Sequence, residues 1–116
     1  MIVREWRGVT RASDREAYLA YLDRTGLREY AETPGNRGVL TLTRTEGDRT
    51  EFVLLSFWDR LEDVAAFAGE DLERAVFYPE DDRFLIERDL RVTHYEVAGN
   101  TVLSAGAGIA GRPHDR

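Results

Sequence analysis

The sequence contains no cysteine, which excludes disulfides, thiolate nucleophiles and cysteine-based zinc sites. It has no block of basic residues either: arginine is scattered among aspartate and glutamate, and the formal net charge is -6. A surface that neutralises a run of phosphates needs clustered cations, so no nucleic-acid partner is expected. No apolar run is long enough to cross a bilayer, so no membrane partner is expected. The opening residues, Met1-Ile2-Val3-Arg4-Glu5-Trp6-Arg7, lack the basic and apolar regions of a signal peptide, so a cytoplasmic location is expected. Histidine is scarce, with only His94 and His114. A lone histidine without a spaced second ligand is no metal motif, and no metal site is expected. The glycines between Ala105 and Gly111 form no phosphate loop, because no Lys-Ser/Thr and no following helix accompany them.

What is present suits one globular domain. A chain of 116 residues with 42% hydrophobic residues can build one core that buries roughly two-thirds of the unfolded surface. The 33% charged share exceeds the usual ~25% and implies a well-solvated exterior. Residues 1–7 read as a first strand. Ser13-Asp14-Arg15-Glu16 has the form of a capping box. Ala17, Tyr18, Tyr21 and Leu22 then recur at helical spacing, and Gly26 ends or loosens that helix before Leu27 and Tyr30. Gly38 to Thr45 and Thr50 to Trp58 read as two strands of a hairpin around Glu46-Gly47-Asp48. A second helix is expected from Asp59, with Glu62 completing an acidic capping pattern. Leu61, Val64, Ala65 and Ala68 form one stripe of it. Beyond Gly69, Leu72, Ala75 and Val76 form another, capped by Glu70-Asp71 and stopped at Tyr78-Pro79. Glu80-Asp81-Asp82 reads as a solvated turn and Phe84-Leu85-Ile86 as a short apolar segment, either one turn or a packing plug. Leu90 to Val97 reads as the last strand. Residues 98–116, rich in glycine and alanine and then polar, read as a flexible tail.

The expected fold is therefore α+β, a ferredoxin-like βαββαβ unit with a four-stranded antiparallel sheet over residues 1–97. An antiparallel strand with one face in water alternates apolar and polar residues. The third strand does not: Phe52, Leu54 and Trp58 fall on one face, and Val53, Leu55 and Phe57 on the other. Two helices cover one face of such a sheet, so the other wants a second cover, and a second copy of the chain is the simplest one.

Arg4-Glu5-Trp6-Arg7, Thr33-Pro34-Gly35-Asn36-Arg37-Gly38, Ser56-Phe57-Trp58-Asp59, Ala66-Phe67-Ala68-Gly69-Glu70-Asp71, Tyr78-Pro79-Glu80-Asp81 and His94-Tyr95-Glu96-Val97 follow one another in an order that resembles the antibiotic biosynthesis monooxygenase family. The resemblance covers about residues 1–97. It implies a homodimer in which two sheets pack into a dimeric α/β barrel. The family's activities are mixed. Some members oxidise polyphenolic polyketides to quinones with O2 and no metal or flavin, others degrade haem, and similar barrels cyclise polyketides or only bind ligands. The haem-degrading members share an Asn on the first strand and a Trp and a His on the second helix. Here the first strand has no Asn and the second helix no His, so haem degradation is disfavoured. The expectation is a cofactor-independent monooxygenase acting on an electron-rich aromatic or polyketide-like small molecule. The alternatives are a non-catalytic ligand-binding barrel and a polyketide cyclase-like enzyme.

Four residues are candidates for the site. In quinone-forming relatives a Trp near the position of Trp58 lines the substrate pocket; the structural alternative is a large core residue. His94 titrates near neutrality and could take a phenolic proton; its alternative is a hydrogen-bonded strand histidine. Arg4 could hold an anion or stabilise an oxyanion; its alternative is an ion pair with Glu96 or Glu5. Tyr18, which shares a helical face with Tyr21 and Leu22, could close the pocket against the sheet; its alternative is plain core. Whether Arg4 and His94 share a face is open, because a one-residue slip in register reverses a strand's faces.

Overall fold

The computed structural model describes residues 1–101; most of the expected tail lies outside the described residues. Strand β1 (Ile2–Arg11) leads through a 3-10 turn at Ala12–Asp14 into helix α1 (Arg15–Arg24) and helix α2 (Gly26–Glu32). The hairpin β2 (Asn36–Glu46) and β3 (Arg49–Trp58) follows, then a 3-10 turn at Leu61–Val64, helix α3 (Ala65–Ala68), helix α4 (Asp81–Phe84) and strands β4 (Leu85–Arg88) and β5 (Thr93–Glu96). All pairings are antiparallel, in the order β2-β3-β1 with β4 and β5 both on the far edge of β1. This is the expected α+β arrangement, with the fourth strand position divided between two short strands.

The expected capping boxes do not form. Ser13 sits in the 3-10 turn, whose Ala12 N–H donates to the Asp48 carbonyl at 2.7 Å, and α1 starts after Asp14 without a side-chain cap. Asp59 likewise caps nothing: its carboxylate accepts from Arg37 at 2.7 Å. Between α1 and α2 the chain kinks at Thr25, whose hydroxyl donates to the Tyr21 carbonyl at 2.7 Å. Such back-bonding bends helices.

The largest departure lies in residues 69–80, where a continued helix was expected. Gly69 ends α3 in the left-handed region at φ 86°, a conformation glycine adopts without penalty. The backbone groups that would have closed further turns are then taken by the sheet. The guanidinium of Arg4 donates to the carbonyls of Leu72 at 2.6 Å and Arg74 at 2.9 Å. Ala75 N–H donates to Leu90 O at 3.0 Å and Val92 N–H to Glu73 O at 2.8 Å. Asp71 pairs with Arg91 rather than capping a helix. The same contacts split the edge strand: the Asp89 N–H still donates to Arg7 O of β1 at 2.9 Å, and residues 90–92 then leave β1 to pair with this segment around Arg74 and Arg91. Phe84-Leu85-Ile86 spans the junction of the one-turn helix α4 and strand β4, with Phe84 and Leu85 packed into the core, and the last strand begins at Thr93 rather than Leu90.

The helices bury one face of the sheet. Phe52, Leu54 and Trp58 on β3 are buried there with Tyr18, Tyr21 and Leu22 of α1. The core has two parts, one around Phe52, Tyr18 and Trp6, the other around Trp58, Tyr30 and Phe67. Gly8 is required by the first: a Cβ there would come within 2.4 Å of the Trp6 ring. The opposite face stays open. Val53, Leu55 and Phe57 are only half-buried, and β-register places Val3, Leu40, Leu42 and Tyr95 beside them. Leu42 is 45% and Tyr95 53% exposed. No helix among the described residues is long and apolar enough to cross a membrane.

Candidate functional site

Antiparallel register sets Arg4 opposite Ser56 on one side and His94 on the other. Directly paired residues share a face, so Arg4 and His94 both lie on the helix-covered side. Arg4 is 1% exposed, and its Nη1 stands 3.3 Å from His94 Nε2. A guanidinium only donates, so His94 Nε2 is the acceptor and the neutral ring carries its proton on Nδ1. Neither expected ion pair of Arg4 forms: among the described residues it has no carboxylate partner, its nearest groups being two carbonyls, the imidazole and the face of Phe67 at 5.7 Å. Its Nε–H is buried without a partner.

Arg4 forms one wall of a cleft between the sheet and the helices. Trp6, Leu22 and Leu54 line its apolar side, Tyr30 and Phe67 lie beside Arg4, and Phe77 and Tyr78 of the 69–80 segment cover it. The cleft falls at the seam between the two core clusters. Tyr18 and Asp81 supply a second polar group in the lining. The Tyr18 hydroxyl donates to Asp81 Oδ1 at 3.1 Å, and Tyr78 N–H donates to Oδ2 at 2.6 Å. Asp81 is 4% exposed. Burial pushes its carboxyl above the usual range, against the two hydrogen bonds and the charge of Arg88. Burial, followed by the charge of Asp81, raises the Tyr18 phenol as well, so it stays protonated and remains a donor. The space open to water-sized molecules is about 30 Å³, enough for one or two waters.

The four expected site residues are thus divided. Arg4 and Tyr18 line the cleft; Trp58 and His94 are not among its lining residues. Trp58 stands behind the wall, packed on Tyr30 with ring centroids 5.8 Å apart and on Phe67 at 6.4 Å. Its indole N–H donates to Ser56 Oγ at 2.9 Å. His94 lies on the outer side of the Arg4 guanidinium. The residue missed in the sequence is Asp81, read there as part of a solvated turn. The available signal was spacing: Asp81 stands one helical turn before Phe84 and Leu85, and all three are buried. Among the described residues no cluster of three His, Cys, Asp or Glu side chains is placed to hold a metal ion.

Burial, and then the Arg4 charge, hold the His94 ring below its ordinary value of 6.5, with Glu73 opposing. A histidine depressed in the folded state binds its proton more readily when unfolded. Its contribution to stability is therefore present above 6.5 and declines as pH falls below that value. His94→Gln should flatten this part of the pH–stability curve, read by urea denaturation at a series of pH values from about 7 to about 5. Identical curves for the two proteins would contradict the assignment.

A ferredoxin-like sheet with helices on one face and a cleft between them defines the class. Solved structures with a similar fold include two. One, from Bacillus cereus and described as a "putative antibiotic biosynthesis monooxygenase", aligns with a TM-score of 0.60 at 13% identity, over 88% of this chain and 97% of its own. The other, from Nitrosomonas europaea and described in the same words, aligns with a TM-score of 0.57 at 19% identity, over 85% of this chain and 100% of its own. At these identities the likeness is one of fold. No family model and no curated protein sequence matches the chain.

Proposed function

We propose that this chain is a cofactor-independent oxygenase for an electron-rich aromatic small molecule, bound in the cleft between sheet and helices. The carrying observation is the convergence, in one aromatic-lined cleft, of a buried arginine and a buried Tyr18–Asp81 pair. The names of the two structural relatives support the class of chemistry. A base takes the phenolic proton, and the resulting anion donates electrons to O2. One oxygen atom enters the ring, the other leaves as water, and the phenol becomes a quinone. The substrate supplies all the electrons, so the protein contributes orientation, proton transfer and charge stabilisation. Arg4 stabilises negative charge, Tyr18 and the walls hold the ring, and Trp58 supports the wall from behind. Two groups can act as base. His94 is neutral, but its lone pair faces Arg4; Asp81 faces the ligand. The geometry favours Asp81. O2 uptake with stoichiometric quinone formation from a polyphenol panel tests the reading; saturable binding of those compounds without O2 uptake would favour the non-catalytic binder.

The assembly proposed with this function is a homodimer, its open sheet faces packed together. Patches of exposed apolar surface on this scale mark association sites. One half of the face carries Val3, Leu40, Leu55 and Phe57, whereas Arg7, Arg44, Arg49, Glu51 and Glu87 form an ion-pair network on the other. Sedimentation equilibrium at micromolar concentration should give twice the chain mass, and Leu55→Arg should give the single-chain mass with the circular dichroism unchanged. A wild-type monomer would sink the barrel.

A further inference from the structure

The two polar groups of the cleft make different demands, and together they narrow the ligand. Arg4 is a buried cation whose hydrogen-bond partners are all neutral. Desolvating a charge without an opposite one is costly, and a buried donor without an acceptor adds to that cost. Arg4 has both features, since its Nε–H is free. Nη1 is engaged with Leu72 O and His94 and Nη2 with Arg74 O, so the Nε–H and the second Nη2–H are the donors left for an incoming anionic oxygen. At Asp81 the demand is reversed. Each carboxylate oxygen accepts one hydrogen bond, from Tyr18 or from Tyr78, and a carboxylate has lone pairs for more. It suits a hydroxyl donor. An ammonium group would meet the field of Arg88 there. A second carboxylate would be repelled by Asp81. Apolar walls at Trp6, Leu22, Leu54 and Phe77 lie in the same cleft.

We propose that the cleft takes a small aromatic hydroxy acid, with its carboxylate on Arg4 and its hydroxyl on the Tyr18–Asp81 pair. The proposal rests on the reading above in sharing its cleft, and it names the substrate class. A neutral phenol would leave the Arg4 charge uncompensated; a simple aromatic acid would leave Asp81 without a donor. The present free space of about 30 Å³ is below the roughly 150 Å³ that accommodates benzene. Binding therefore moves Phe77 and Tyr78 outward with their segment.

The test uses the whole chain with 3-hydroxybenzoate, 4-hydroxybenzoate, the methyl ester of each hydroxybenzoate that binds, and benzoate as probes. Affinities are read by calorimetry. The two indole N–H resonances locate the site, because Trp6 lines the cleft and Trp58 does not. At least one hydroxybenzoate should bind about tenfold or more tightly than its ester and than benzoate, and should shift Trp6 but not Trp58. Arg4→Gln should abolish the preference for acid over ester, and Asp81→Asn the preference for hydroxybenzoate over benzoate. If Arg4→Gln fails to fold, the wild-type comparison of acid with ester still decides. An ester that binds as tightly as its acid, or no saturable binding by any probe, overturns the proposal. The two readings fail separately. A hydroxy acid bound as described but stable to O2 removes the oxygenase and keeps the ligand class; O2 uptake with neutral phenols preferred does the reverse.

Discussion

Replacing Trp58 with alanine should cost about 3–5 kcal/mol of folding stability, the range for deleting a large aromatic from a packed core. Trp58 is 0% exposed, and its ring packs on Tyr30 and Phe67. Removing it leaves a void that the β3 backbone and the stacked Tyr30–Phe67 pair, 4.2 Å apart, can fill only in part. It also strips a partner from Ser56 Oγ, which is fully buried. Trp58→Phe should recover most of the packing but not that hydrogen bond. Urea denaturation with global fitting measures the loss. A change under about 1 kcal/mol would place Trp58 outside the core and return it to the ligand-facing role that its position in the sequence suggested.

The reason the sequence left Trp58 between pocket wall and core is general. Periodicity says that Phe52, Leu54 and Trp58 share a strand face, and they do. It does not say what stands between that face and a ligand. Here Tyr30 and Phe67, from two different helices, occupy that space. Within the first half of the chain, element order and the hairpin's boundaries were legible because β-strand alternation, the Gly47-Asp48 turn and the Thr33-Pro34-Gly35 break are local signals, whereas the first strand, expected to end at Arg7, runs on to Arg11. The segment after Gly69 was not legible. Leu72, Ala75 and Val76 have helical spacing, yet their backbone is held by Arg4 and by residues 90–92, up to 70 positions away in sequence for the Arg4–Arg74 contact. Tertiary hydrogen bonds override a weak local propensity there. The same long-range contacts explain the divided edge strand. Asp81 was missed for a related reason: three consecutive acidic residues suggest solvent, and only the fold reveals that the second of them turns inward to meet Tyr18. For Arg4 and His94, the adjacent antiparallel strands were legible but the register was not.

Given an aromatic substrate that the protein oxidises, Asp81→Asn should lower turnover by roughly 10²-fold or more, as expected for loss of a general base. The asparagine keeps the size of the side chain and its one oxygen can still accept from Tyr18 or from Tyr78 N–H but not both, so the proton acceptor is lost and an unchanged circular dichroism spectrum is required of the variant. His94→Ala should cost much less, because His94 meets Arg4 from outside the cleft lining. A base acts only when deprotonated, so wild-type kcat/KM should rise with pH through the Asp81 value. Burial raises that value above an ordinary aspartate's, and the acid limb should therefore be shifted to higher pH than an unperturbed carboxylate would give and vanish in Asp81→Asn. Tyr18→Phe separates positioning from proton transfer. It removes one hydrogen bond that favours the carboxylate form, so the acid limb should move to higher pH while the maximal rate falls less than in Asp81→Asn. The opposite pattern, with His94→Ala losing the larger factor and Asp81→Asn retaining the acid limb, would assign the base to His94. It would also require Arg4 to release the imidazole when substrate binds, since the Nε2 lone pair faces the guanidinium in the free protein.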